Sequence, residues 1–200
     1  RSQALALVMP GGADLFYCQK LNGEGNRQIR KFVEQGGVYL GFCAGAYYGS
    51  SYCDFAYTVH PNKHYTIGPR ELAFYPGHAV GPYLSPYKIN SETGACVAKI
   101  EWLTDPKSSK KHNVYFNGGC YFSRPELHKN VIILARYVNK GFKHHAAIVE
   151  CKVKKGKAIL SGVHPEYTTG VLEELNLNDA LNPKKITSSL LFRNIIDRLK

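Results

Sequence analysis

Cys43 stands between two glycines in Gly41-Phe42-Cys43-Ala44-Gly45, directly after the apolar run Gly37-Val38-Tyr39-Leu40. His164 and Glu166 stand in His164-Pro165-Glu166, directly after the apolar residues 158–163. A cysteine on a strand-to-helix turn and a histidine-carboxylate pair on a later strand end are the parts of a thiol nucleophile, its base and the group that orients the base. The flanking glycines suit an elbow that holds its nucleophile in a strained conformation, where side chains two positions away would crowd the turn. A third piece follows the strand-like residues 4–8. In Met9-Pro10-Gly11-Gly12, the two glycines let backbone N–H groups approach a substrate oxygen closely, as an oxyanion loop requires.

Each piece alone has a plainer reading. A cysteine in an apolar stretch is commonly a small buried hydrophobe, a lone histidine is commonly structural, and Pro-Gly-Gly is a turn signal. Their conjunction is more informative, because all three follow β-like runs and open α/β sheets place ligands beyond the carboxyl ends of their strands. The arrangement predicts that the His164 ring faces Cys43 Sγ and that Glu166 meets the other ring nitrogen. A helix over residues 44–53 would turn its unsatisfied N–H groups toward the sulfur, Ala44 first.

The elements that must position these residues alternate. Residues 26–34 read as a helix with Ile29, Phe32 and Val33 on one face, ended by Gln35-Gly36-Gly37. Residues 54–95 are rich in Pro, Gly, Tyr and His without sustained periodicity, and are expected to form a long lid-like insertion or to cover a sheet edge. Residues 96–103, 113–117, 131–138, 146–153 and 158–163 read as strands of an antiparallel extension, with Lys154-Lys155-Gly156-Lys157 as a hairpin turn. Leu190, Leu191, Phe192, Ile195, Ile196 and Leu199 form a helical stripe within residues 187–199, expected to face the core. No repeat, low-complexity segment or linker divides residues 1–200, so a single domain is expected.

Composition narrows the function classes. With 44% apolar and 20% charged residues, 200 residues suffice for one folded α/β domain, and no apolar run approaches the roughly 20 residues that span a bilayer. The net charge of +11 is uneven, +3 over residues 1–100 and +8 over residues 101–200. Its densest clusters are Lys107 to Lys111 and Lys152 to Lys157; the second reads as a solvated hairpin turn, and although a basic face can bind nucleic acid, no nucleic-acid-reading motif accompanies them. Six cysteines, at 18, 43, 53, 96, 120 and 151, show neither a C-x-x-C pair nor zinc-ligand spacing. No metal is implied. Keeping Cys43 free leaves five, which points away from a paired secreted framework and toward a reducing, cytoplasmic setting. His144-His145 reads as structural.

The order Pro-Gly-Gly, G-x-C-x-G, His-Pro-Glu resembles the class I glutamine amidotransferase superfamily. Within it, Met9-Pro10-Gly11-Gly12-Ala13-Asp14-Leu15, Gly41-Phe42-Cys43-Ala44-Gly45-Ala46-Tyr47-Tyr48, Arg70-Glu71-Leu72, Tyr75-Pro76-Gly77, Gly81-Pro82 and Tyr115-Phe116-Asn117-Gly118-Gly119-Cys120-Tyr121-Phe122 resemble the amidotransferase-like N-terminal domain of fungal-type biotin-protein ligases. The similarity runs over residues 4–168. It implies a flavodoxin-like three-layer sandwich with a mixed sheet, N-terminal elements being missing relative to the family pattern. It also implies Cys43 as nucleophile, His164 as general base, Glu166 as its partner and Gly11 and Gly12 as the oxyanion loop. The chemistry needs no cofactor and takes a small-molecule amide or acyl substrate. Glutamine-hydrolysing members carry a glutamine where this chain has Tyr47, so glutamine specificity is in question: the aromatic ring either lines a pocket for another amide or closes it. No G-R-G-R-x-G-type loop is present, so biotin transfer is not expected of these residues. Two readings stay open, a Cys-His-Glu amidase and a non-catalytic binding or regulatory module, with a separate synthetase or biotin ligase as the implied protein partner.

Overall fold

The computed structural model describes residues 4–55, 66–84, 87–88, 90–103, 110–175, 181 and 185–199. The first half of the chain forms β1 (Ala6–Met9), α1 (Asp14–Leu21), α2 (Glu24–Glu34), β2 (Val38–Phe42), α3 (Ala44–Gly49), β3 (Ser50–Phe55), β4 (Thr66–Pro69) and β5 (Tyr75–Gly81). The second half forms β6 (Cys96–Trp102), β7 (Lys110–Phe116), β8 (Tyr121–Phe122), β9 (Val131–Tyr137), β10 (Ala146–Val153), β11 (Gly156–Ser161), α4 (Thr169–Glu174) and α5 (Ser188–Asp197). The strand order is β1-β2-β11-β10-β8-β5-β3-β4, and β9, β6 and β7 branch from β10 as an antiparallel extension. The sheet is mixed: β1, β2 and β11 run parallel, as do β3 and β5, while the other pairs are antiparallel.

Alternation along the central strands builds two cores. Tyr39 of β2 and Ala158 and Leu160 of β11 face Val33 of α2 and Ala46 and Tyr48 of α3. Leu40, Phe42 and Ile159 face the other way, onto Leu191 and Ile195 of α5. Period-two side chains on a sheet buried on both faces give three layers, helices on each side of a sheet that reads as a continuous apolar run. This is the flavodoxin-like arrangement. The β1-β2-β11 register aligns Met9 with Gly41 and Phe42 with Ser161, so the three parallel strands end together at one edge. Everything that follows those ends, Pro10 onward, Cys43 onward and Gly162 onward, emerges in one place.

Several sequence expectations change. The helix after Cys43 stops at Gly49, and Ser50 to Cys53 belong to β3. Gly49 lies so close to the sheet that a Cβ would meet Leu160 Cδ2 at 2.7 Å, and the chain beyond it gains strand partners on both sides, β5 and β4. Residues 54–95 are not an insertion throughout. Within them β5 is an internal strand between β3 and β8, with Tyr75, Gly77, Ala79 and Gly81 buried in alternation; its small residues and Pro76 concealed that period. Residues 56–65 lie outside the described residues, as do residues 104–109 of the first lysine cluster. The C-terminal stripe is narrower than expected, since Leu190 and Ile196 are exposed while Leu191 and Ile195 are buried. Helix α1 escapes the periodicity because its only fully buried residue is Asp14. The β10–β11 hairpin turns at Lys154-Lys155 as expected. Among the described residues no helix is long and apolar enough to cross a membrane.

Candidate active site

The elbow begins where β2 ends. Cys43 has φ 46 and ψ −103, a conformation L-residues avoid, which tight surroundings impose here. A Cβ on Gly45 would stand 2.2 Å from the Met9 carbonyl oxygen, and one on Gly41 would stand 2.5 Å from the Gly45 carbonyl oxygen. Both flanking positions therefore require glycine for close backbone approach. The Cys43 N–H donates to the Ser161 carbonyl at 2.8 Å and ties the elbow to the end of β11. In the first turn of α3, the Gly45 N–H donates to Pro10 O at 3.1 Å, and those of Ala46 and Tyr47 donate to Cys43 O at 2.9 and 3.0 Å. Ala44 is the first residue of α3, whose N–H has no partner within the helix.

The structure brings Cys43, His164 and Glu166 together. His164 Nδ1 lies 2.6 Å from Glu166 Oε1, and the Cys43 thiol lies near enough to the ring to act on its protonation. Both Cys43 and His164 are buried, with 7% and 6% of their surface exposed. Burial pulls the imidazolium down, but the charge and hydrogen bond of Cys43, then the hydrogen bond and charge of Glu166, push it up to about 10. The His164 N–H donates to Tyr115 O at 3.0 Å in a single bridge between β7 and the loop after β11, and Tyr115 and Tyr167 stack at 4.7 Å beside the ring. Gly11 lies against the other side, where a Cβ would fall 2.6 Å from His164 Cε1. Gly12 follows with φ 125, and the Tyr17 hydroxyl lies 3.1 Å from both the Pro10 and Gly11 carbonyl oxygens.

Tyr47 is buried beneath this site. Its hydroxyl donates to Gly118 O at 3.1 Å, and a Cβ at position 81 would fall 1.9 Å from the Tyr47 hydroxyl oxygen. Desolvation pushes its phenol well above 10, so it remains a neutral donor. Residues not singled out as site residues complete the surroundings. Asn117 contributes its backbone carbonyl, 3.7 Å from Cys43 Sγ, and its Nδ2 donates to Glu92 Oε2 at 3.1 Å; Glu92 also receives the Tyr115 hydroxyl. A backbone carbonyl leaves no side-chain signature, and Asn117 and Tyr115 were visible only as parts of a longer motif. All six cysteines are free, and no group of His, Cys, Asp and Glu among the described residues is arranged to hold a metal ion.

Residues 1–195 match the family described as biotin-protein ligase, N terminal. The chain belongs to that family. Over 186 residues it is 39% identical to the biotin–protein ligase of Schizosaccharomyces pombe, covering 92% of this chain and 29% of the ligase. Over 162 residues it is 40% identical to an uncharacterized protein of Chlamydia muridarum, covering 80% of this chain and 60% of that protein. The chain thus spans less than two thirds of either relative. Among solved structures, a glutamine amidotransferase matches with TM-score 0.53 at 20% identity, over 84% of this chain and 78% of that one. PurLQS from Thermotoga maritima matches with TM-score 0.55 at 17% identity, over 100% and 82% respectively. At such identities the likeness is one of fold, and the fold of this biotin-protein ligase N-terminal domain is that of the glutamine amidotransferases.

Proposed function

We propose that this domain is a cysteine-dependent amide hydrolase or acyl transferase in which Cys43, His164 and Glu166 act as a unit. The observation that carries this reading is the His164 ring held by Glu166 at 2.6 Å and under the electrostatic influence of the Cys43 thiol, with that sulfur on a strained turn. His164 Nε2 takes the thiol proton as Cys43 Sγ bonds to the carbonyl carbon of the substrate, and the carbonyl π pair moves to oxygen. That oxyanion is received by the N–H groups of Ala44 and the Gly11-Gly12 loop. The proton on His164 Nε2 passes to the leaving nitrogen as the C–N bond breaks, giving a thioester and a free amine or ammonia. The now neutral His164 takes a proton from water, whose oxygen attacks the thioester and releases the acid and Cys43. Glu166 holds the ring's orientation and balances its charge. Tyr47, committed to Gly118, fills the place of the superfamily's glutamine, which supports an amide other than free glutamine.

The test is intact-mass analysis after exposure to p-nitrophenyl acetate and, separately, to iodoacetamide. Acetylation once, at Cys43, lost in Cys43→Ala and slowed in His164→Ala, is the expected result. Alkylation by iodoacetamide with no acetylation would leave an accessible thiol and no acyl chemistry, and the binding-module reading would stand instead.

A further inference from the structure

We propose that Arg70 is a positioning residue for the oxyanion loop, acting through Asp14; the proposal rests on the acyl chemistry proposed above. Asp14 is the first residue of α1, two positions after Gly12. Its Oδ2 accepts from Arg70 Nε at 2.7 Å, and the two side chains are 6% and 5% exposed. Arg70 is in turn fixed by Nη1, which donates to the Gly68 and Pro69 carbonyls at 3.1 and 3.0 Å, while its own N–H donates to Ser51 O at 2.9 Å. The guanidinium thus joins the loop after β1 to the far edge of the sheet, where β3 and β4 lie. Cys53 is buried near the pair, and burial, then the charge of Asp14, push its thiol up, so it adds no competing charge.

The loop has little else to hold it. Pro10, Gly12 and Ala13 are exposed and Gly11 is half-buried, so no side chain between Met9 and Asp14 is buried in the core. Helix α1 packs on the core through the partly buried Tyr17, Cys18 and Leu21, but Phe16 is exposed and Asp14 is its only fully buried residue. Other ties are the Gly45 N–H on Pro10 O, the Tyr17 hydroxyl and the packing of Gly11 on the His164 ring. An isolated carboxylate at Asp14's depth is costly, so loss of Arg70 forces Asp14 outward and the Gly11-Gly12 N–H groups with it. Cys43 and His164 are held separately, by Ser161, Tyr115 and Glu166. The pair therefore controls the oxyanion donors and not the thiol.

Two reactions at the same sulfur separate these roles. Acylation by p-nitrophenyl acetate passes through an oxyanion, whereas alkylation by iodoacetamide displaces iodide at a tetrahedral carbon and needs no such donors. In Arg70→Gln and Asp14→Asn, acylation of Cys43 is expected to slow about 10- to 100-fold, less than the roughly 10²–10³-fold for removing one oxyanion donor outright because the donors are displaced and not deleted, with the alkylation rate unchanged. Arg70→Lys, which keeps the charge and loses the fork, should fall between wild type and Arg70→Gln. If Arg70→Gln does not fold, Asp14→Asn and Arg70→Lys carry the same comparison. Unchanged acylation in the folded variants overturns the proposal, and so does an equal loss in both reactions, which would mark general damage. Wild-type protein that is alkylated but never acylated would overturn the underlying acyl reading, a different result from either.

Discussion

Replacing Gly11 by alanine strikes the proposed base without touching it chemically. The added Cβ would lie 2.6 Å from His164 Cε1, 3.5 Å from Nε2 and 3.6 Å from Nδ1. Ordinary contact begins near 3.4 Å, so ring or loop must yield by about 0.8 Å. Any retreat of the ring disturbs its ties, Nδ1 to Glu166 at 2.6 Å and its backbone N–H to Tyr115 at 3.0 Å. Overpacking of this kind costs about 1–3 kcal/mol of stability, and a misplacement near 1 Å costs about 100-fold in rate. Gly12→Ala is the control. Its nearest obstacle is the Tyr17 hydroxyl at 3.9 Å, and its cost is the positive φ of 125, a backbone strain of about 1–3 kcal/mol. Timed intact-mass measurement with both reagents, alongside thermal unfolding, separates the two. Gly11→Ala should slow acylation and alkylation together, since the base moves; Gly12→Ala should slow acylation alone. A Gly11→Ala protein that reacts like wild type with both reagents would refute the packing argument.

Three further outcomes are expected. Because Cys43 supplies the two foremost influences that raise His164, Cys43→Ala should let the ring lose its proton at lower pH, as read from its NMR titration; an unmoved titration would uncouple the pair. A raised histidine stabilises fully below its unfolded value near 6.5 and loses that contribution as pH climbs toward 10, so the thermal-midpoint advantage of wild type over Cys43→Ala should shrink over that window. Tyr47→Phe deletes the hydrogen bond to Gly118 O and should cost about 1 kcal/mol of stability in denaturant unfolding with the alkylation rate of Cys43 unchanged; slower alkylation at full stability would place Tyr47 at the reacting atoms. Free glutamine should yield little ammonia in a coupled assay, and robust release abolished by Cys43→Ala would restore an ordinary glutaminase.

What the sequence discloses is uneven for physical reasons. The apolar runs before Cys43 and His164 are legible because β2 and β11 are buried on both faces, and the turn glycines are legible because close backbone approach admits nothing larger. The convergence of the three loops depends on β1, β2 and β11 being parallel neighbours, a pairing that alternation alone does not encode. Strand β5 was hidden because its buried positions include Gly77, Ala79 and Gly81, residues that carry no hydrophobic period. The Asp14–Arg70 pair joins positions 56 residues apart and looks on paper like two surface charges. Asn117 acts at the thiol through its backbone, and only coordinates reveal that.

The central claim, that Cys43, His164 and Glu166 work as one unit, is tested most directly by the Cys43 acylation rate in wild type, His164→Ala, Glu166→Gln and the double variant. Groups that act together lose activity non-additively. His164→Ala should slow acylation by about 10²–10⁴-fold, Glu166→Gln by less, and adding Glu166→Gln to His164→Ala should cost nothing more. Full additivity of the two losses, or acylation of His164→Ala at the wild-type rate in a folded protein, would contradict the account.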